Sequence, residues 1–262
     1  MPRTNINMPR TAATRRRQIQ NFPYSLYFPG TNGNDMSVGT DAYPYERTQA
    51  WSISFWILPV AYPTANGHIF AAIQGSSPFR GWLTRLQTTG GVTSLNFYLI
   101  STVNTNQLIA NYAAPAIGRW TKVDITYSGN SNTSGVNVYY SNVLQTQTST
   151  TNTLSATIVA SNVVAKWGGF AGASQNANCY LADQKIFNYE RTAQNIADDW
   201  YKPNSGNAPV DIYALTEGSG TSVASTGTGN HTGTLGAGVT WSSTVVPMKK
   251  RTAINQNRLA LS

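Results

Sequence analysis

The 262 residues suffice for one large domain with a buried core; 40% are apolar and 11% aromatic, but only 11% are charged, against roughly a quarter in an ordinary soluble domain. The formal charge of +8 sits at the ends: residues 1–20 and 248–262 hold nine of the 18 Lys and Arg and no acid, so 21–247 carries nine cations, all ten acids and a net charge of −1. A single cysteine, Cys179, excludes an internal disulfide, and no apolar run approaches the length of a membrane-spanning helix, so no membrane insertion is expected.

Residues 1–22 read as a basic arm, with Arg15, Arg16 and Arg17 as its electrostatic contacts. Its cations are not followed by an apolar stretch, and Pro2 and Pro9 oppose an amphipathic helix, so synthesis in the cytoplasm without a Sec signal is expected. From 23 to 247 the chain alternates short apolar–polar segments with Gly, Asn, Pro and Ser clusters, the pattern of an antiparallel β-sandwich. The clearest strand, 51–58, puts Trp51, Ile53, Phe55 and Ile57 on one face and Ser52, Ser54 and Trp56 on the other. Segments 69–73, 82–86 and 95–100 follow, and 121–128 turns Val123, Ile125 and Tyr127 inward and Lys122, Asp124 and Thr126 outward. A turn rich in Asn, Ser and Gly leads into 136–140 as a hairpin, and 181–187 and 210–215 supply two more strands. One short helix is predicted within 190–201, with Thr192 as its N-cap, Ile196 and Trp200 on one face, and an end before Pro203. The tracts 128–135 and 145–153 read as polar loops, and 248–262 as a basic tail bearing Lys249, Lys250 and Arg251.

Several segments together resemble the laminin-G-like, concanavalin A-like lectin family. They are YSLYFPGTNGNDMSVG (24–39), WSISFWI (51–57), GRWTKVDITYSG (118–129) with VNVYYSNVLQ (136–145), the stretch from KWGGF to DDW (166–200), and ALTEGSG (214–220) with TGTGNHTGTL (226–235). The resemblance covers about residues 24–242 and implies an all-β jelly roll with one short helix, the extended basic arms lying outside it. It also implies binding work on glycans or proteins, in adhesion or assembly, often with calcium. Two positions where the family tends to place calcium ligands hold Ser128 and Ala182, so no cofactor is expected; Asp35, Asp183 and Glu217 are the acids left to test for calcium. Asp183 lies one position beyond Ala182, which on a regular strand turns it to the opposite face.

Related glucanases place two or three carboxylates along one strand, and glycoside hydrolysis needs a pair roughly 5–10 Å apart. Here only Asp198 and Asp199 are neighbours in sequence, neither His68 nor His231 has an acid nearby to orient it, and metal-type Cys/His spacing and phosphate loops are absent. The expectation is a protein that is not an enzyme. For glycans, Tyr43, Tyr45, Trp82 and Trp241 stand beside Pro, Gly or Ser and are the candidate platforms, burial in the core being the competing reading. The arms have three readings: contacts to nucleic acid or acidic surfaces, extension over neighbouring subunits, or solubilising tails. They lack interleaved aromatics, so stacking on single-stranded bases is not indicated.

A charge-poor domain with basic ends and no secretion signal points first to a non-catalytic structural or binding subunit of a virion or other extracellular surface assembly (capsid, decoration or tail-associated). Its partners would be its own copies or other subunits. The alternative is a carbohydrate-binding, lectin-like module recognising surface polysaccharide; a glycoside hydrolase is the third reading.

Overall fold

The computed structural model describes residues 22–170, 175–199, 206–244 and 246. The arm residues Arg15, Arg16, Arg17, Lys249, Lys250 and Arg251 lie outside the described residues, as does Trp200. In chain order the strands are β1 (Ser25–Pro29), β2 (Met36–Thr40), β3 (Trp51–Pro59), β4 (Asn66–Ile73), β5 (Gly81–Thr89), β6 (Val92–Thr102), β7 (Asn106–Ala113), β8 (Thr121–Tyr127) and β9 (Val136–Tyr140). They continue with β10 (Val143–Leu144), β11 (Ser149–Asn152), β12 (Val164–Trp167) and β13 (Asn178–Phe187), then helix α1 (Ala193–Asp198), β14 (Asp211–Tyr213), β15 (Ser222–Val223), β16 (Gly233–Leu235) and β17 (Thr240–Ser242).

Two antiparallel sheets face each other. The eight-stranded sheet runs β10-β9-β8-β3-β13-β1-β17 with β14 added beside β13, and the nine-stranded sheet runs β11-β7-β6-β5-β4-β12-β2-β16-β15. Period-two alternation decides what lies between them. From β3 come Trp51, Ile53, Phe55 and Ile57, from β8 Val123, Ile125 and Tyr127, and from the other sheet Phe70, Trp82, Phe97 and Trp167, all buried. The rings meet between and within the sheets: Trp51 lies 5.4 Å from Trp82 across the gap and 4.7 Å from Tyr127 on the neighbouring strand, and Phe70 lies 4.7 Å from Trp82 and 4.8 Å from Trp167 in its own sheet. Full burial of each such side chain stabilises the fold by roughly 1.5–3 kcal/mol, so this aromatic layer is the centre of its cohesion.

Helix α1 begins as expected. Thr192 Oγ1 accepts the Asn195 amide and Asn195 Oδ1 accepts the Thr192 amide, each at 3.1 Å, which closes a capping box, and Ile196 is buried. Among the strands that were not expected are β7 and β11. β7 places Leu108, Ala110 and Tyr112 inward, but its Asn, Gln and Ala content dilutes the strand signal. β11 lies in the tract read as a loop; it is an edge strand that needs only its backbone ladder to β7, so Ser and Thr suffice.

Gly81 marks where β5 approaches β4 most closely. Its φ is +143°, and a Cβ there would stand 2.2 Å from the Ala72 carbonyl oxygen and 2.6 Å from Ile73 Cα. Gly81→Ala therefore strains the backbone and separates the strands. Denaturant unfolding is expected to show a loss of about 1–3 kcal/mol.

Candidate functional site

The four aromatic residues read as platforms do not form one. Tyr43 and Trp82 are 3% and 1% exposed, which corrects the expectation for both. The Tyr43 hydroxyl donates to Asp211 Oδ2 at 2.8 Å and Trp82 Nε1 donates to the Tyr43 carbonyl at 3.3 Å, so their polar atoms are satisfied inside the core. Tyr45 is half-buried and stacks on Trp82 at 6.0 Å. The half-buried Trp241 lies apart from these three, on β17 at an edge of the eight-stranded sheet; it donates to the Gly220 carbonyl at 2.8 Å and packs edge-on against Tyr24. Gly81 and Pro44 made Trp82 and the tyrosines look like loop residues, but they shape the chain around a buried cluster.

The acids chosen for calcium are likewise engaged elsewhere. Asp35 pairs with Lys166 at 2.9 Å, Asp183 with Lys185 at 2.8 Å, and Glu217 accepts the Ala224 amide at 2.8 Å. Among the described residues no group of three or more His, Cys, Asp or Glu is placed to hold a metal ion. A one-residue bulge in β13 between Ala182 and Lys185 gives Asp183 a φ of +49° and carries its carboxylate to Lys185, so the simple alternation rule fails there. Burial raises the Asp183 pKa above the ordinary carboxylate value, with Lys185 opposing that shift.

Lys122, Asp124 and Thr126 face outward from β8 as expected, but they are not solvated. The chain from Phe187 to Asp199 lies over them, and Lys122, Asp124 and Asp199 are 4%, 1% and 8% exposed. Lys122 bridges Asp124 at 3.0 Å and Asp199 at 3.4 Å, and Arg191 bridges the same two carboxylates at 2.9 and 2.6 Å. Two acids thus converge that sequence distance kept apart, but each is neutralised and sealed under the covering segment. On β14 of the same sheet, Asp211 accepts His231 Nδ1 at 2.7 Å, the His231 amide at 3.0 Å and the Tyr43 hydroxyl. His231 therefore has the orienting acid that its sequence neighbourhood lacks. His68 instead is buried, with Nδ1 2.7 Å from the Gln175 carbonyl and its ring stacked on Phe170.

The outer face of the nine-stranded sheet carries the most distinctive chemistry. Cross-strand register aligns His68 of β4 with Arg85 of β5, Asn96 of β6, Asn111 of β7 and Ser149 of β11 in one row. Asn96 Nδ2 donates to Ser94 Oγ at 2.9 Å and to Asn111 Oδ1, and Asn111 Nδ2 donates to Ser149 Oγ at 2.8 Å. In the neighbouring rows Arg85 Nη2 donates to the Tyr98 hydroxyl at 2.6 Å, which reaches Gln87 at 3.3 Å. Asn66 Oδ1, Asn96 Oδ1 and Arg85 Nε are buried without a partner. Donors and acceptors alternate along this row and its flanks, with Arg85 as the single permanent charge among them. Sequence reading left it unnoticed, although alternation in 82–86 and 95–100 turns Arg85 and Asn96 outward.

The eight-stranded sheet offers a different outer row where the covering segment ends. Tyr27, Tyr180 and Leu58 are opposite one another and half-buried, with Trp120 beside them. Tyr27 and Tyr180 pack ring on ring at 4.9 Å, so their faces are occupied by each other.

Comparison with known proteins agrees with this architecture. The sequence model of the concanavalin A-like lectin/glucanases superfamily, of laminin-G type, matches residues 31–197. No curated protein matches the chain in sequence. Among solved structures, a candidate carbohydrate-binding protein from Bacteroides ovatus superposes with a TM-score of 0.59 at 14% identity, over 87% of this chain and 62% of that one. The heptameric SAP-like pentraxin of Limulus polyphemus superposes with a TM-score of 0.51 at 16% identity, over 84% and 97%. This chain therefore spans less than two thirds of the Bacteroides protein, and at such identities the likeness is one of fold. The family match takes in most of both sheets and the helix, and by it the chain belongs to the concanavalin A-like lectin/glucanases superfamily.

Proposed function

We propose that the chain is a carbohydrate-binding, lectin-like module that holds a polysaccharide across the outer face of its nine-stranded sheet. The observation that carries this reading is the row of Arg85, Asn96, Asn111 and Ser149, flanked by Asn66, Gln87 and Tyr98. Amides and hydroxyls pair with sugar hydroxyls as both donors and acceptors, and a surface with little charge is cheap to desolvate. Partnerless buried oxygens on Asn66 and Asn96 gain from a ligand hydroxyl. The carbohydrate-binding description of the Bacteroides fold neighbour supports the same class of ligand.

Affinity electrophoresis through gels containing a panel of neutral and acidic polysaccharides tests it. The wild-type protein is expected to be retarded by at least one, and Asn111→Ala or Gln87→Ala to weaken that interaction about tenfold, the equivalent of 1.4 kcal/mol. Tyr180→Ala, on the opposite sheet, is expected to leave it unchanged. Loss of binding in Tyr180→Ala alone would place the site on the other face, and no retardation by any polymer overturns the proposal.

A second reading is a subunit of a virion or other surface assembly, and a specific observation favours it. Asp35, Lys122, Asp124, Asp183, Lys185, Arg191, Asp199 and Asp211 are all buried, so the exterior is poorer in charge than composition alone suggests and packs readily against copies. Size-exclusion chromatography and electron microscopy of the whole chain are expected to show assemblies. A monodisperse monomer that ignores nucleic acid and its own copies removes this reading.

A further inference from the structure

Arg85 is the anomaly of the polar face. Its side chain is half-buried on the sheet, with Cζ 4.4 Å from the centroid of the Tyr98 ring, and its Nη2 donates to the neutral hydroxyl of that same tyrosine. All ten Asp and Glu side chains are among the described residues, and the ion pairs they form with other described residues involve Lys122, Lys166, Lys185, Arg191 and His231, not Arg85. Partial burial of a guanidinium without a carboxylate is unfavourable, and such a group draws an anion when one is supplied. Elsewhere the chain shows the alternative: Arg191, also buried, is given both Asp124 and Asp199. The Nε–H of Arg85 is buried and has no acceptor, and Asn96, 1% exposed, leaves Oδ1 free one strand away. A donor that wants an anion therefore stands beside an amide that wants a hydroxyl.

From this geometry we infer that the outer face of the nine-stranded sheet takes an acidic saccharide, with a ring carboxylate on Arg85 and adjacent hydroxyls on Asn66, Gln87, Asn96 and Asn111. The inference rests on the carbohydrate-binding reading and narrows it to uronate-bearing polymers. A carboxylate fits better than a bulkier ester. Arg85 Nη2 gives one hydrogen to Tyr98, and the planar guanidinium keeps further N–H donors that match a planar two-oxygen group.

The test compares retention of the full-length protein on polygalacturonate, on its fully methyl-esterified form, on neutral galactan and on dextran sulfate. The cationic end segments contribute equally to wild type and variants, so the informative quantity is the change on substituting Arg85. Wild type is expected to bind polygalacturonate at least tenfold more tightly than the methyl ester. Arg85→Gln is expected to abolish that difference, its loss on polygalacturonate being at least tenfold larger than any loss on the ester or on galactan. Near-ultraviolet circular dichroism verifies the fold of Arg85→Gln, and Arg85→Lys, which keeps the charge but not the fork, is expected to fall between. As an independent readout, the Nε–H resonance of Arg85, assigned by its absence in Arg85→Lys, is expected to shift on adding oligogalacturonate and not on adding galacto-oligosaccharide. Equal binding of acid and ester, an unchanged preference in Arg85→Gln, or tighter Arg85-dependent binding of dextran sulfate overturns the inference but leaves the carbohydrate reading standing. Failure to bind any saccharide removes both.

Discussion

Arg191→Leu is expected to destabilise the protein by about 3–5 kcal/mol, the largest single-residue loss among the charged positions. Arg191 is 2% exposed, and both terminal nitrogens of its guanidinium are engaged, while its buried Nε has no hydrogen-bond partner. Nη1 meets Asp124 at 2.9 Å, Nη2 meets Asp199 at 2.6 Å and the Asn195 carbonyl at 3.0 Å, and Cζ lies 4.6 Å above the Phe187 ring. Its backbone amide donates to Ser52 Oγ at 2.9 Å, so the residue also pins the covering segment to β3. Removing the guanidinium takes from Asp124 and Asp199 one of the two buried cations that they share among the described residues, the other being Lys122. Replacing a whole ionic cluster with apolar groups is often tolerated; stranding one charge is not. The double variant Arg191→Leu/Asp199→Asn is therefore expected to lose less than the sum of its single changes, because the second removes the charge the first exposed. Urea unfolding at neutral pH measures both. Hydrogen exchange should show α1 opening first in Arg191→Leu, and equal stability of wild type and single variant would mean that the network is solvated.

The sandwich could be read from the chain because its strands obey a local rule. In 51–58 and 121–127 every second residue is apolar, and those residues form the core. The same rule turned Lys122 and Asp124 outward correctly and misjudged their surroundings. What covers them arrives with Arg191 and Asp199, more than sixty positions later, and periodicity carries no information about that. Trp82 failed for a related reason. Next to Gly81 it reads as a loop residue, whereas the glycine is there to let β5 lie against β4 and the indole goes inward. Asp183 was misplaced by the bulge in β13, a one-residue irregularity without a sequence signature. The polar row was half legible: alternation places Arg85 and Asn96 on one outer face, but only strand register shows that they stand opposite each other with Asn111 and Ser149 beyond. Asp211 and His231 are the same case, since contact across twenty residues depends on how the chain returns to the sheet.

His68 should make the fold acid-sensitive. It is 2% exposed between Phe170 and the Gln175 carbonyl, and burial, assisted by the nearby positive charge of Arg85 and opposed by that carbonyl, lowers its pKa from 6.5 to about 4. The unfolded chain binds a proton at pH 5 that the folded chain refuses, so protonation favours unfolding. The stabilisation from keeping this imidazole neutral is complete above the unfolded value of 6.5 and declines as the pH falls toward the folded value near 4. At 1.36 kcal/mol per pKa unit the full effect is about 3 kcal/mol. Carboxylates titrate in part of the same range, so the comparison must be between wild type and His68→Gln, whose amide can still donate to the Gln175 carbonyl but binds no proton. His68→Gln is expected to be less stable than wild type at pH 7, through lost stacking on Phe170, and to lose about 3 kcal/mol less than wild type between pH 7 and pH 4 in urea unfolding. Parallel pH profiles for the two proteins would mean that the imidazole is charged in the folded state, and the close pairing of His68 with Arg85 across β4 and β5 would then have to open.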